Sequence, residues 1–226
     1  MTAQRTEEER KVDHRMVFRG GEGEITEKRS RFIATVRPVK SEEEAAEFIE
    51  TVRKKYWDAR HNCYAYVIGD HQDIQRYSDD GEPGGTAGRP MLDVLLGENI
   101  HDTAVVVTRY FGGILLGTGG LVRAYQGAAK EGLASSLIIT RIQGVKLKIT
   151  TDYTGLGKIQ YILGERGIPV LDSSYTEKVE LTALVPEALW PALEEELTDG
   201  TNGKAVLEEA GKCFYGDIDG KIQVLE

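Results

Sequence analysis

Three carboxylates fall within four positions in the loop Ser78-Asp79-Asp80-Gly81-Glu82-Pro83. Asp79, Asp80 and Glu82 could hold a hard divalent cation or supply a general base. The spacing lacks the alternating ligands and distal Glu of an EF-hand loop. The same residues can instead build an Asx-type turn in which Asp79 and Asp80 satisfy loop N–H groups. Upstream, His61-Asn62-Cys63 sets an imidazole and a thiol two residues apart, on one side of a strand. Such a pair can make a thiolate nucleophile, with Asp79, Asp80 or Glu82 orienting the imidazole. A short apolar strand beginning at Cys63 is equally where an inert core cysteine sits.

A second constellation lies at residues 105–125, VVVTRYFGGILLGTGGLVRAY. Val105, Val106 and Val107 suit a strand buried on both faces. Gly112, Gly113, Gly117, Gly119 and Gly120 then free the backbone, and the apolar residues from Leu121 to Leu133 recur on one helical face. A helix start offers unpaired N–H groups, so a glycine-rich entry between Arg109 and Arg123 can hold a phosphate or carboxylate. The spacing matches neither G-x-x-x-x-G-K-[ST] nor G-x-G-x-x-G. The alternative is that the glycines permit a tight turn and close helix–strand packing, with the arginines in local ion pairs.

The elements that must position these residues follow from periodicity and turn chemistry. Residues 1–20 read as a charged, irregular lead-in, and 24–39 as one or two strands. Ser41-Glu42-Glu43-Glu44 is a capping box opening a helix with Ala45, Ile49, Val52 and Tyr56 on one face. Cys63–Ile68 and Gln72–Tyr77 are predicted strands joined by a turn at Gly69-Asp70. Residues 78–90 are predicted loop, Met91–Leu96 a short helix, Thr103–Arg109 a strand, and Gly119 to about Leu137 a helix. At Gly144 the pattern restarts. A strand at 145–150, a helix from about Thr154, strands at 168–171 and 179–185, a helix opened by Pro186-Glu187 and a last strand after Asn202-Gly203 give the βαββαβ order of a ferredoxin-like domain.

The chain has 226 residues, and 40% of them are hydrophobic, enough for one large or two modest domains. We expect a boundary near Gly144, with domains at 21–143 and 144–226. No apolar run approaches membrane-spanning length and the N-terminal run has no signal-peptide character, so a cytoplasmic location and no membrane partner are expected. Cys63 and Cys213 cannot make a disulfide framework or a four-cysteine zinc site, and both are expected to be reduced. The net charge of −9 argues against an indiscriminately basic surface. Its distribution is uneven: residues 144–226 carry 8 basic against 15 acidic side chains, and residues 1–143 carry 20 against 22. The cations available to a polyanion, Lys28, Arg29, Arg31, Arg60, Arg89, Arg109 and Arg123, therefore lie in the first part.

TRYFGG and GGLVRAY, set beside HNCYAY, SDDGEPGGTAGRP and EKRSRFIA, make the chain resemble bacterial members of the YigZ/Impact family. The resemblance covers nearly all of residues 20–226. It implies an α+β protein with a ribosomal-protein-like, two-layer β-α-β first domain, a sheet with helices on one face. It also implies a small ferredoxin-like second domain akin to the last domain of elongation factor G. An association with translation is implied too, through the eukaryotic relative Impact.

The expected function is regulation of translation or a stress response by binding RNA, a ribosome or a translation factor, without catalysis and without a cofactor. Arg109, Arg123, Gly112, Gly113, Gly119 and Gly120 would contact a phosphate or small anionic ligand, Arg31 and Arg89 would extend the patch, and Tyr110 and Phe111 would offer a stacking face. The alternative is an enzyme on a small phosphorylated or acyl substrate. In it Asp79, Asp80 and Glu82 hold a divalent metal or act as base beside His61 or Cys63. A protein–protein adaptor using the acidic second domain is a third reading.

Overall fold

The computed structural model describes residues 14–225. The chain divides into two compact units, residues up to Thr140 and residues from Arg141 onward.

In the first unit, β2 (Glu22–Glu27), β3 (Ser30–Pro38), β4 (His61–Ile68), β5 (Ile74–Ser78) and β7 (Thr103–Tyr110) form one antiparallel sheet in the order β2-β3-β7-β4-β5. Apart from it, β1 (His14–Arg19) pairs in parallel with the two-residue β6 (Ile100–His101). Residues 14–19 are thus a strand where an irregular lead-in was predicted, and residues 1–13 lie outside the described part.

Helices α2 (Gly88–Gly97) and α3 (Gly117–Ala134) cover one face of the sheet, where Phe32, Ala34, Cys63, Ala65, Val105 and Val107 meet Met91, Leu95, Tyr125 and Ala129. Helix α1 (Glu42–Lys55) covers the other, with Phe48, Ile49 and Val52 against Tyr66, Ile68, Ala104 and Val106. The α+β class holds, but the two-layer expectation is corrected to three layers. The reason is that alternate residues of β4 and β7 are apolar on both faces, and each face needs a cover. Helix α1 starts as its capping box predicts, with Ser41 Oγ accepting from the Glu44 N–H at 3.2 Å. Glu44 reaches back one residue further than the motif requires, accepting from the Lys40 N–H at 2.7 Å.

The second unit orders its antiparallel strands β12-β11-β8-β10-β9: β8 (Leu137–Thr151), β9 (Val170–Tyr175), β10 (Val179–Pro186), β11 (Val206–Ile218) and β12 (Lys221–Leu225). Helices α4 (Tyr153–Glu165) and α5 (Trp190–Gly200) supply Ile159, Ile162, Leu193 and Leu197 to a core shared with Leu147, Ile149, Leu181 and Val185. This is the predicted βαββαβ order with β12 added. Gly144 does not interrupt the chain but sits inside β8. A Cβ there would stand 2.5 Å from the Tyr215 ring and 2.9 Å from the Val185 carbonyl, so the glycine makes room for Tyr215.

Candidate functional site

The site lies at the end of the first unit's sheet where β7 runs out. Register places Arg109 between Phe32 of β3 and His61 of β4. Alternation along β7 sends Arg109 to the same face as Val105 and Val107, toward α3. Its Nη1 donates to Glu82 Oε1 at 2.6 Å, and the Tyr125 hydroxyl donates to the same oxygen at 2.8 Å. Both partners of this ion pair are buried, with Arg109 only 7% exposed. The guanidinium carbon stands 5.4 Å from the Phe32 ring and 5.5 Å from the Phe111 ring, a cation between two aromatic faces. Its Nε is buried without a hydrogen-bond partner.

The acidic loop is spent on structure. Asp79 Oδ1 accepts from the Ala87 and Gly88 N–H groups at 2.9 and 2.8 Å, and Oδ2 accepts from Gly85 N–H at 2.8 Å. It caps α2 from across the loop, because the helix's own cap residue, Ala87, has no side-chain acceptor. Asp80 Oδ2 accepts from the Asn62 N–H at 2.7 Å and Oδ1 from Arg53 at 3.1 Å. The three carboxylates therefore turn to three different sets of donors and do not converge as a metal site. Among the described residues the grouping with metal-ligand chemistry is elsewhere. His14, Asp70 and Asp102 have ligand atoms within 4.8 Å of one another, but with His14 Nδ1 3.8 Å from Asp70 and Nε2 3.9 Å from Asp102, the geometry of an imidazole between two carboxylates.

The His61–Cys63 pair is not coupled either. His61 Nδ1 bonds the Asp80 carbonyl at 2.8 Å, which fixes the proton on that nitrogen, since a carbonyl can only accept. The Cys63 sulfur lies 3.0 Å from the Asp79 carbonyl and 3.4 Å from the Tyr125 hydroxyl. Cys63 is fully buried, and that burial pushes its thiol well above the ordinary range, with Glu82, Asp80 and Asp79 adding to the effect. Burial pushes the Tyr125 hydroxyl up in the same way. A thiol kept protonated and turned inward is a core cysteine, not a nucleophile.

Of the arginines expected to hold an anion, Arg31 makes two bonds of 2.9 Å to Glu24, and Arg89 bonds Asp93 at 2.8 Å one helical turn away. Both are held in local ion pairs, and of the two arginines flanking the glycine loop Arg109 is paired too, with Glu82. Gly112 is there for contact: a Cβ would fall 2.0 Å from the Arg29 backbone, and its N–H donates to the buried Ser30 hydroxyl at 3.1 Å. Gly113 and Gly117 have φ of +85° and +72°, while Gly119 and Gly120 lie in the first turns of α3. Arg123 is exposed.

What the sheet end does form is a cleft of about 480 Å³ walled by Arg109, Arg60 and His61, with Tyr110, Phe111 and Leu115 beside them. Asp58 completes the lining, and its Oδ1 accepts from the Tyr110 hydroxyl at 2.7 Å. Phe111 and Leu115 are 53% and 82% exposed, and Trp57, one residue before Asp58, is 83% exposed. Asp58, Trp57 and Leu115 escaped the sequence reading, since nothing local ties the turn after α1 to the end of β7. The one signal in the sequence is a tryptophan just past Tyr56, the last apolar position on the helical face.

The sequence profile of the Impact N-terminal domain matches residues 28–133, and that of a domain of unknown function, DUF1949, matches residues 149–204. IMPACT family member YvyE of Bacillus subtilis is 46% identical over 199 residues, covering 88% of this chain and 91% of that protein. The chain belongs to the IMPACT family. Within the family, member YigZ of Escherichia coli is 38% identical over 80% of this chain and 89% of its own. The mouse protein named IMPACT is 41% identical over 98 residues, which are 41% of this chain and 30% of the mouse protein. The crystal structure of a hypothetical protein has a TM-score of 0.56 at 34% identity, covering 88% of this chain and 98% of the other. The profile match to the first domain spans the cleft's Asp58, Arg60, Arg109 and Phe111 as well as the acidic loop. No helix among the described residues is long and apolar enough to cross a membrane.

Proposed function

We propose that this protein acts in translation or a stress response by binding RNA, alone or within a ribosomal particle, at the sheet end of its first unit. The observation that carries the reading is a set of cations without acidic partners on the elements around the cleft. Arg60 lines it, and Lys28 and Arg29 form the β2–β3 turn whose backbone abuts Gly112. Arg123 stands in the second turn of α3, beside Gly119. Unlike Arg31 and Arg89, none of these four makes an ion pair among the described residues. Unpaired cations around exposed aromatic rings suit a phosphodiester backbone with unstacked bases. The match to the Impact N-terminal domain lies in this same unit, and the translation role that the family resemblance implies supports the reading.

The test is the affinity of single-stranded RNA across a salt series, for the wild type and for Arg29→Ala/Arg123→Ala. Each neutralised phosphate contributes a slope of ~0.7 in log K against log salt, so the double variant is expected to lose about 1.4 from the slope. An unchanged slope, or no RNA bound at low salt, overturns the proposal. The metal-dependent or Cys/His-dependent enzyme is not favoured, because its acids are committed to backbone N–H groups, Arg53, Arg109 and Tyr125, and its thiol is buried.

A further inference from the structure

We propose that the 480 Å³ cleft is a pocket for a single nucleoside monophosphate group, with its phosphate between Arg60 and Arg109 and its base against Phe111. This deepens the RNA-binding reading and rests on it for the source of the ligand.

The first argument is the state of Arg109. A guanidinium carries five N–H donors, and an arginine this buried normally has most of them satisfied. Here the guanidinium makes one hydrogen bond among the described residues, from Nη1 to Glu82, and Nε makes none. A role confined to balancing Glu82 leaves those donors unexplained. With Nε closed off, the donors open to the cleft are those of the terminal nitrogens, and an oxyanion is the group that takes them.

The second argument is rigidity. Glu82 holds the guanidinium from one side and is itself held by Tyr125, whose ring packs edge-on against Phe32 at 5.2 Å. The cation is fixed before any ligand arrives, which cuts the ordering cost of binding.

The third argument concerns the rest of the lining. Arg60 adds a second cation, and His61 presents Nε2 with no partner among the described residues, its Nδ1 proton being committed to Asp80. The lining's single carboxylate, Asp58, is tied down by the Tyr110 hydroxyl. Phe111 keeps about half of its surface open although it stacks on Arg109, and Leu115 adds apolar surface at the rim. Two cations beside an open aromatic ring fit an anion joined to a planar base, and the free Nε2 of His61, an acceptor in this tautomer, can take a ribose hydroxyl or a base N–H. The volume suits one such unit, not a strand.

The same chemistry is offered by a free nucleotide and by the terminal phosphorylated nucleotide of an RNA, and three titrations of the full chain separate them. The first uses AMP, GMP, CMP and UMP, with inorganic phosphate as control. The second compares a short single-stranded RNA with and without a 5′-phosphate, and the third one with and without a 3′-phosphate. We expect saturable binding of at least one mononucleotide, weakened tenfold or more by Phe111→Ala and by Arg60→Ala. Both substitutions are at exposed residues, and unchanged melting temperatures would show that the variants fold. A tenfold preference for a phosphorylated end identifies RNA as the source, and equal affinity for both ends with tight mononucleotide binding identifies the free nucleotide. No saturable binding of any mononucleotide or phosphorylated end, or affinities untouched by both variants, overturns the pocket. If that happens while Arg29→Ala/Arg123→Ala still flattens the salt slope, RNA binding stands without the pocket. If mononucleotides bind while RNA does not, the pocket stands and the RNA reading falls.

Discussion

Two glycine-rich loops flank the same end of the sheet, and they spend their side chains in opposite directions. The acidic loop between β5 and α2 turns Asp79, Asp80 and Glu82 inward onto backbone N–H groups, Arg53, Arg109 and Tyr125. The glycine loop between β7 and α3 turns Phe111, Ile114 and Leu115 outward, each more than 40% exposed, and enters a helix that has no side-chain cap. The loop whose composition most resembles catalytic machinery is scaffolding. The loop made of glycine and apolar residues is the one left unsatisfied. Buried acids must find donors because an unpaired one is so costly, whereas exposed apolar groups persist without penalty large enough to unfold a domain.

The contrast predicts that the acidic loop is where stability is lost. Glu82→Ala leaves the Arg109 charge buried without a counter-ion, and breaking a buried pair from one side costs about 3–5 kcal/mol. Urea denaturation of the wild type and variant measures it. A loss under about 1 kcal/mol would mean that water reaches Arg109 and that the inward half of the comparison is mistaken. Asp79→Ala comes next. It strips three N–H groups of their acceptor and uncaps α2, an expected loss of about 2–3 kcal/mol. If Asp79 held a metal, the loss would instead depend on chelator, and we expect none of that dependence.

Cys63 sharpens the same point through pH. Its thiol is pushed upward by burial in the folded state, so the folded form keeps the proton that the unfolded chain releases. Stability is therefore full below the ordinary thiol range of about 8.5 and declines as pH rises through it, by about 1.4 kcal/mol per pH unit for this group. Alkylation reads it directly. In the native protein between pH 7 and 9, Cys63 should stay unlabelled and show no rise with pH, while the partly exposed Cys213 labels slowly. Rapid labelling of Cys63 would place a thiolate at the surface and revive the nucleophile reading.

These residues also show how far a sequence can be read. The capping box at Ser41 and the alternation of β8, β10 and the helices after them are local signals, and local geometry honoured them. β1 was missed because its strand character comes from pairing with a two-residue partner some 85 positions away. Gly144 looked like punctuation and proved to be clearance for Tyr215, a residue 71 positions on. At the site, the Asx-turn chemistry of Asp79 was legible as an alternative, but not which backbone groups it would reach. Arg109 is legible in the sequence as a cation at a strand end. That it would be buried, held once and left with unused donors depends on Glu82, Phe32 and Tyr125, which no spacing along the chain brings together.

The smallest expected effect is on the outward loop. Leu115→Ser removes an apolar side chain that is already 82% exposed and lies outside both cores of the first unit, so its stability should move by no more than about 0.5 kcal/mol. Ser in its place keeps the backbone and the φ values of Gly113 and Gly117 around it. If Leu115 contributes surface to the cleft, RNA affinity should weaken severalfold with the salt slope unchanged, because no phosphate contact is lost. That pairing of outcomes is the finest test of the contrast between the loops. A change in slope would mean that the variant moves a cation, and a loss of stability would mean that the outward loop is packed after all.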